Sequence, residues 1–517
     1  MAWQQPNDEA TAVVDYGTTT TTALLFNNGN MINPFKDCKN GFILSAVVVK
    51  NGNLVPCISE STIKGGTVIK NGKRLIGKYK ADLKDSDIAK DIYGADIEFD
   101  EESRPYLKVD IGSRSSPEYM SIYPEDIFRT ILEDVVKEIN NKAGKPVKSY
   151  CFTIPNSTTD RTKRIMRKIA SELNLECKFL IKEPTAAGIK YTLPDTEGGV
   201  RDHDNVLVFD FGGGTLDLTI MHRKGCNYEV IAHGGNPFLG GINIDNLLVD
   251  EVLRLFKEHS DGNLDLFDNV REGPKYQRWK QRLLNRCREA KEELSSSYEQ
   301  TIDLEGIGLG ESEDVLITIT LESFKKIIAP VMKECQNEVK KIMALSRLTP
   351  RHIQHVLLVG GSSKIPLIKE LFKNYHLLPV ADPQKVVVEG AMLANVKHIT
   401  ESYLVECMDC NIGCMVEGKF ELHIPATTRL PTSVPYTYTL KSSSDTFDLD
   451  IYREVQSGVY SKEGTIYITD LPMENMWQGC ILSIRLYIDV SLDGTLSYEV
   501  KNNRTNELLA EAKIILN

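Results

Sequence analysis

The sequence lacks any apolar run approaching the roughly 18 residues of a membrane-spanning helix, which argues against a helical membrane protein. Its opening stretch, Met1 to Ala10, is polar and carries Asp8 and Glu9, so it does not read as a secretory signal peptide. The end, Ile514-Ile515-Leu516-Asn517, holds neither an ER-retention tetrapeptide nor a prenylation box. An excess of basic residues is missing too. With 61 Lys and Arg against 72 Asp and Glu, the net charge of −11 argues against a protein held to nucleic acid by phosphate contacts. Low-complexity sequence is confined to the threonine run Thr18 to Thr22. There is no sign of a disulfide framework, because the 11 cysteines are odd in number and scattered over a long chain, which fits reduced thiols. These absences together read as a cytosolic protein without nucleic-acid or membrane partners.

What is present is an ordinary globular composition, 41% hydrophobic and 26% charged, which excludes wholesale disorder, collagen and coiled coil. At about 100–200 residues per domain, the length allows about three to five compact units. Two segments look alike in kind. Val13-Val14-Asp15-Tyr16-Gly17-Thr18-Thr19 runs into Thr20 to Leu25, and Val206 to Thr215 runs into Leu216 to Ile220. Each is an apolar strand, an Asp, a Gly/Thr turn and a second strand, which is a β-hairpin signal. Apolar residues at helical spacing follow at Ile127 to Ile139, Ile165 to Leu173 and Leu247 to Phe256. The pattern predicts two similar α/β lobes facing each other across a cleft, over residues 1–400.

Beyond about residue 400 the helical periodicity stops. Short alternating segments at Phe420–Ile424, Tyr436–Leu440, Thr446–Tyr452, Thr465–Thr469, Cys480–Val490 and Leu496–Val500 predict a β-sandwich over 411–517, after a linker at 401–410. Asp493-Gly494 is a strong hairpin turn within it.

A nucleoside triphosphate needs donors around its phosphates, a divalent ion and a positioned water. Gly17, Thr18 and Thr19 on one hairpin, with Gly212, Gly213, Gly214 and Thr215 on the other, can aim amides and hydroxyls at phosphate oxygens. Asp15 and Asp210 would face each other and hold Mg²⁺. No Walker loop occurs, so the P-loop class is excluded. Cys407, Cys410 and Cys414 have a spacing that can bind metal or sense redox state, but they read first as ordinary thiols.

With Glu183-Pro184-Thr185-Ala186-Ala187-Gly188, Phe238-Leu239-Gly240-Gly241, Ala290-Lys291 through Ser297, and Val359-Gly360-Gly361-Ser362-Ser363-Lys364-Ile365-Pro366, the two hairpins resemble the seventy-kilodalton heat-shock chaperones, of the actin and sugar-kinase superfamily. The strands around Leu486–Val490 and Asn503-Arg504-Thr505 are similar to the end of that family's peptide-binding sandwich. The resemblance implies a two-lobed, actin-like ATPase domain with duplicated, ribonuclease-H-like lobes, followed by an all-β sandwich. It implies ATP, ADP and Mg²⁺ as ligands, extended polypeptides as substrates, and J-domain co-chaperones and nucleotide exchange factors as partners.

By the same resemblance Lys73 is the catalytic lysine, and Glu183 with Thr215 orients the attacking water beside Asp210. Asp217 completes the acidic set. Gly241, Gly360, Gly361 and Ser362 approach phosphate and ribose, Lys291 and Ser295 reach ribose or base, and Lys364 stands at the adenine. Pro155 matches a residue that relays nucleotide state between domains.

Departures are clear. Glu292 and Lys364 stand where the family clasps adenine between two arginines, and Arg288 occupies a ribose-contacting glutamate position. The docking linker keeps only Leu404 and Val405 as candidate anchors, and a helical lid is not expected. Ile412, Ile424 and Leu430 are candidate pocket or core residues. The leading expectation is an ATP-hydrolysing chaperone. The alternatives are a regulatory partner that binds ATP and turns it over little, like ribosome-associated or exchange-factor relatives, and a small-molecule kinase on the same fold.

Overall fold

A computed structural model describes residues 10–59, 66–83, 92, 95–112, 118–192, 199–225, 227–259, 266, 273–307, 315–399, 403–416, 418–440, 447–456, 458–468, 482–491 and 493–512. Two sheets dominate its first part. In the first, strand order runs Glu176–Lys182, Ser149–Ile154, Thr11–Tyr16, Thr20–Asn27, Asn30–Ile32. Thr11–Tyr16 pairs in parallel with Ser149–Ile154 and antiparallel with Thr20–Asn27. In the second, His376–Leu377, His355–Val359, Asn205–Phe211, Leu216–Lys224 and Asn227–Asn236 follow in that order, again with the parallel pair on one side and the hairpin on the other. The central strands read as continuous apolar runs because both faces are covered. Ala12, Val13 and Val14 are all fully buried, as are Val206 and Val208.

Helices supply the cover. Pro124–Ala143 starts with proline and two acids and stops at Gly144 in the left-handed region (φ 69°). It buries Ile127, Phe128, Ile131, Leu132, Val135 and Ile139, the face expected from the sequence. Asp160–Glu172 is capped by the Thr159 hydroxyl, which accepts from the Thr162 amide at 3.2 Å. Glu183–Thr192 and Val386–Val396 lie between the sheets in one apolar cluster. They pack closely because position 390 is glycine: a Cβ there would sit 1.8 Å from the Ala186 carbonyl oxygen.

The last part is two four-stranded antiparallel sheets, Lys419–Ile424, Ile412–Val416, Phe447–Gln456, Val459–Ile468 and Thr432–Leu440, Leu482–Val490, Leu496–Asn502, Leu508–Ala512. Their facing side chains form a single core. Asp493-Gly494 joins strands paired Val490 to Leu496, as the turn chemistry requires. Ile412, Ile424 and Leu430 are buried in this core, so none of them lines an open pocket. Thr446, Thr469, Cys480 and Ile481, expected in strands, lie outside the described residues.

The segment read as a linker continues the second sheet. Leu404–Cys407 pairs in parallel with Asn227–Asn236 and antiparallel with Arg429–Leu430. Leu404 packs on the apolar cluster between the sheets, and Glu406 and Cys407 are buried. Glu406 accepts from His233 Nε2 (2.8 Å) and Thr185 Oγ1 (3.2 Å), and Lys182 donates to the Cys407 carbonyl (3.2 Å). Next to it, Arg453 binds Asp409 (3.0 Å) and Glu463 (2.7 Å). Lys163, Lys182 and Arg453 thus gather around Asp409, with Glu406 and Glu463 beside them.

Burial, and then the Lys182 charge, hold the His233 pKa below its ordinary value, so the docked state keeps it neutral. A chain with this strand undocked binds more protons once pH falls below about 6.5, the ordinary histidine value. Docking should therefore weaken on acidification below that point and be complete above it. Hydrogen exchange at the amides of 403–407 should speed up relative to the sheet core between pH 7.5 and 5.5, after correction for intrinsic rates. A His233→Gln variant should lose that acid sensitivity, and exchange that stays pH-independent in the parent chain would overturn the argument.

Candidate functional site

The two Gly/Thr turns are built alike and touch. Gly17 N donates to Thr20 O, and Gly212 N to Thr215 O, each at 3.0 Å. The tips meet so closely that a Cβ on Gly213 would lie 2.5 Å from Thr19 Cγ2, and one on Gly214 2.7 Å from Thr18 Oγ1. Only glycine fits at 213 and 214 with the threonines where they stand.

Behind the turns the strands deliver acids. Asp15 accepts from Thr153 Oγ1 at 2.7 Å, and Asp217, opposite Asp210 in the hairpin register, accepts from the Asn156 amide at 2.8 Å. Glu183 opens the helix after strand Glu176–Lys182 and pairs with Lys73 at 3.0 Å. Lys73 sits in a single 3₁₀ turn, Gly72–Leu75, that starts at Asn71 in the left-handed region.

Four carboxyl groups and one ammonium therefore share this floor. Burial and then the Glu183 charge push Asp15 up to about 7, with Lys73 and Thr153 opposing. Burial and Glu183 likewise raise Asp217 to about 7 against the Thr215 hydrogen bond. Asp210 is raised by burial, by Glu183 and by both neighbouring aspartates. Carboxyls held this far above their ordinary range lack positive charge, and a divalent cation supplies it. The donor set fits Mg²⁺ bound by oxygen ligands.

The opposite wall gathers the remaining candidates. Gly360, at φ 80°, lets the chain pass Asp210: a Cβ there would be 2.7 Å from Asp210 Oδ1. Gly361 follows it at the head of the 3₁₀ turn Gly361–Lys364. Ser362 Oγ donates to Gly212 O at 2.8 Å. A Cβ on Gly241 would be 2.4 Å from Ser362 Oγ and 3.2 Å from Lys291 Nζ, which joins three of the expected residues. Lys291 is committed to Asp245 (2.6 Å) and to the Gly241 carbonyl (3.3 Å), and Ser295 donates back to Lys291 O (3.4 Å). Lys364 turns to Gln384 Oε1 (2.8 Å) and is half exposed. Arg288 pairs with Asp245 at 3.4 Å beside Lys291, and Glu292 faces solvent.

The three spaced cysteines are not brought together. Cys407 clusters with His233 and Glu406, whereas Cys414 lies in the sandwich core 3.6 Å from His423 Nδ1. Burial pushes the Cys414 thiol up to about 12, so it stays protonated.

Asn156 escaped the sequence reading. Its side-chain amide donates to Leu218 O (2.8 Å) and Gly234 O (3.2 Å), which ties the end of a first-sheet strand to the second sheet. Four residues later begins helix Asp160–Glu172, whose Lys163 and Arg164 donate to Asp493 O (2.7 Å) and Leu496 O (3.1 Å) of the sandwich. Arg167 pairs with the Asp493 carboxylate.

The fold and site define a mixed α/β cleft protein with an appended β-sandwich, its cleft floored by acids and closed by glycine turns. The model of the family described as "Hsp70 protein" matches residues 59–463, more than half of the chain. This protein belongs to the Hsp70 family. It is 28% identical over 381 residues to the heat shock cognate 70 kDa protein 3 of Dictyostelium discoideum, covering 71% of this chain and 58% of that protein. It is 29% identical over 471 residues to the heat shock cognate HSP70 protein of Trypanosoma brucei brucei, covering 87% and 66%. The chain thus spans less than two thirds of the length of either relative.

The crowded acids generate a test. Asp210→Asn removes a buried carboxyl crowded by like charges without changing shape, so the metal-free protein should gain about 2–4 °C in Tm, while Mg²⁺·ADP should bind at least tenfold more weakly. Thermal scans and calorimetric titration measure the pair. A destabilised variant with unchanged Mg²⁺·ADP affinity would show that these carboxyls do not hold the metal.

Proposed function

We propose that this protein binds ATP between the two sheets, hydrolyses it, and uses the sandwich to hold extended, apolar polypeptide segments under nucleotide control, as an Hsp70-type chaperone. In this reading the ATPase domain is residues 1–400, built of two duplicated, actin-like lobes, a duplication supported by the matching strand orders of the two sheets. Residues 401–410 link it to the sandwich at 411–517.

The observation that carries the reading is the Lys73–Glu183 pair, 3.0 Å long, set among Asp15, Asp210 and Asp217 beneath two touching glycine turns. The amides of Gly17, Thr18, Thr19 and Gly212 to Thr215 would hold phosphate oxygens. Asp15 and Asp210 would hold Mg²⁺, which when bound neutralises phosphate charge. Glu183 and Thr215 would orient the attacking water, and Lys73 would stabilise charge on the phosphoryl group as its bond to ADP breaks. Gly241, Gly360, Gly361, Ser362, Lys291, Ser295 and Lys364 would line the nucleoside side. J-domain co-chaperones and nucleotide exchange factors are the partners this reading calls for.

Single-turnover hydrolysis of ATP tests it. Lys73→Ala should slow the chemical step about 10²–10³-fold, the usual loss for one such donor, while ADP affinity stays within about threefold. Equal turnover in the parent and variant proteins would sink the catalytic reading and favour an ATP-binding regulatory partner.

A further inference from the structure

A cavity of about 80 Å³ opens behind the catalytic floor. Thr18, Lys73 and Thr215 stand at its cleft end, and Lys78, Thr159 and Thr162 at its far end, close to the contacts with the sandwich. Its lining contains the cations Lys73, Arg74 and Lys78 and no Asp or Glu, among the described residues of a chain whose net charge is −11.

Two of its groups are short of partners. The Tyr16 hydroxyl is buried and makes no hydrogen bond. The Lys78 ammonium makes none either and forms no ion pair among the described residues, while burial, the largest influence on it, lowers its pKa. The acids nearest Lys78 are already engaged: Asp82 with Arg161 (3.6 Å) and Ser461 (2.8 Å), and Glu463 with Arg453 (2.7 Å). Lys73, by contrast, is held by Glu183, and Arg74 reaches the Pro237 carbonyl. Room for one water takes about 10–15 Å³, so this space suits a tetrahedral oxyanion and excludes a nucleotide. A small anion would satisfy the lone ammonium with charge-assisted hydrogen bonds.

We propose that this cavity is a binding site for inorganic phosphate, holding the ion that ATP hydrolysis releases before it leaves the cleft. The identity of the ion as product rests on the ATPase reading above; the anion site itself does not. Lys78 is the anchor, and Ser157, Thr159 and Thr162 complete the wall. Lys73 links this site to the place where the phosphoryl group is cleaved.

The test is direct titration of the full chain, preloaded with Mg²⁺·ADP, with inorganic phosphate in a calorimeter. The parent protein should bind one phosphate. Lys78→Ala should weaken it at least tenfold, whereas Lys78→Arg, which keeps the charge, should stay within about threefold of the parent. Thermal scans check that each variant is folded, and the Arg variant keeps the test decisive if the Ala variant is not: weak binding by a folded Lys78→Arg protein would count against the site. Phosphate binding indifferent to Lys78 would place the ion against Lys73 alone and overturn the proposal, as would no binding at all. Because the titration involves no turnover, a chain that binds phosphate through Lys78 but never cleaves ATP would sink the ATPase reading and leave the anion site standing. Lys73-dependent hydrolysis without Lys78-dependent binding would do the reverse.

Discussion

Four carboxyl groups on one buried floor are the constraint around which the cleft is organised. Asp15, Glu183, Asp210 and Asp217 come from four different segments, and among the described residues Lys73 answers them with charge. Buried like charges cannot all ionise without compensation, so Asp15, Asp210 and Asp217 are held toward their neutral forms. That strain is an expense the rest of the structure must cover, through cores that bury Phe128 and Phe152 on one side and Phe209, Phe211 and Phe372 on the other. A site that repels its own charges in this way is preorganised for a cation and its anionic ligand.

Close approach follows from the same need. Acids carried by opposed strands converge only if the turns before them carry no side chains in the way. Gly213, Gly214, Gly240 and Gly360 each stand where a Cβ would come within 3 Å of the facing turn, of backbone, or of Asp210. The helix contact at Gly390 serves the same end from behind, because it lets Glu183–Thr192 sit against Val386–Val396 and so sets the position of Glu183.

Much of this was legible in sequence because the signals are local. A strand, an Asp and a Gly/Thr turn declare a hairpin wherever they occur, and the duplicate at Val206–Thr215 made a cleft the natural expectation. Helix faces, the Asp493-Gly494 turn and most sandwich strands were local in the same sense. The misses depend on contacts between distant segments. Asn156 looks like a loop residue until Asp217 and Gly234 are brought to it, and His233 looks like any strand histidine until Glu406 arrives from 173 residues away. The segment 401–410 has the composition of a linker, and only its register against Tyr228 and Glu229 reveals a strand. The hydrogen bond from Lys364 to Gln384 likewise has no local signal in the sequence.

Asn156 and the helix that begins a turn after it give the two halves of the chain a shared mechanical path. Asp217 holds the Asn156 amide, and the backbone runs from there through Thr158 and the Thr159 cap into a helix whose Lys163, Arg164 and Arg167 grip the turn at Asp493 to Leu496. Any change of charge at Asp217 therefore acts on a hydrogen bond that anchors this helix. On the sandwich side, the grip lies next to the balanced set of Lys182, Arg453, Asp409 and Glu463, in which removing one partner strands a buried charge. Such networks add little net stability but penalise misplacement heavily. Between the two halves, the pair of Arg167 with the Asp493 carboxylate and the bond from Lys182 to the Cys407 carbonyl are contacts that any shift of the sandwich against the cleft would break.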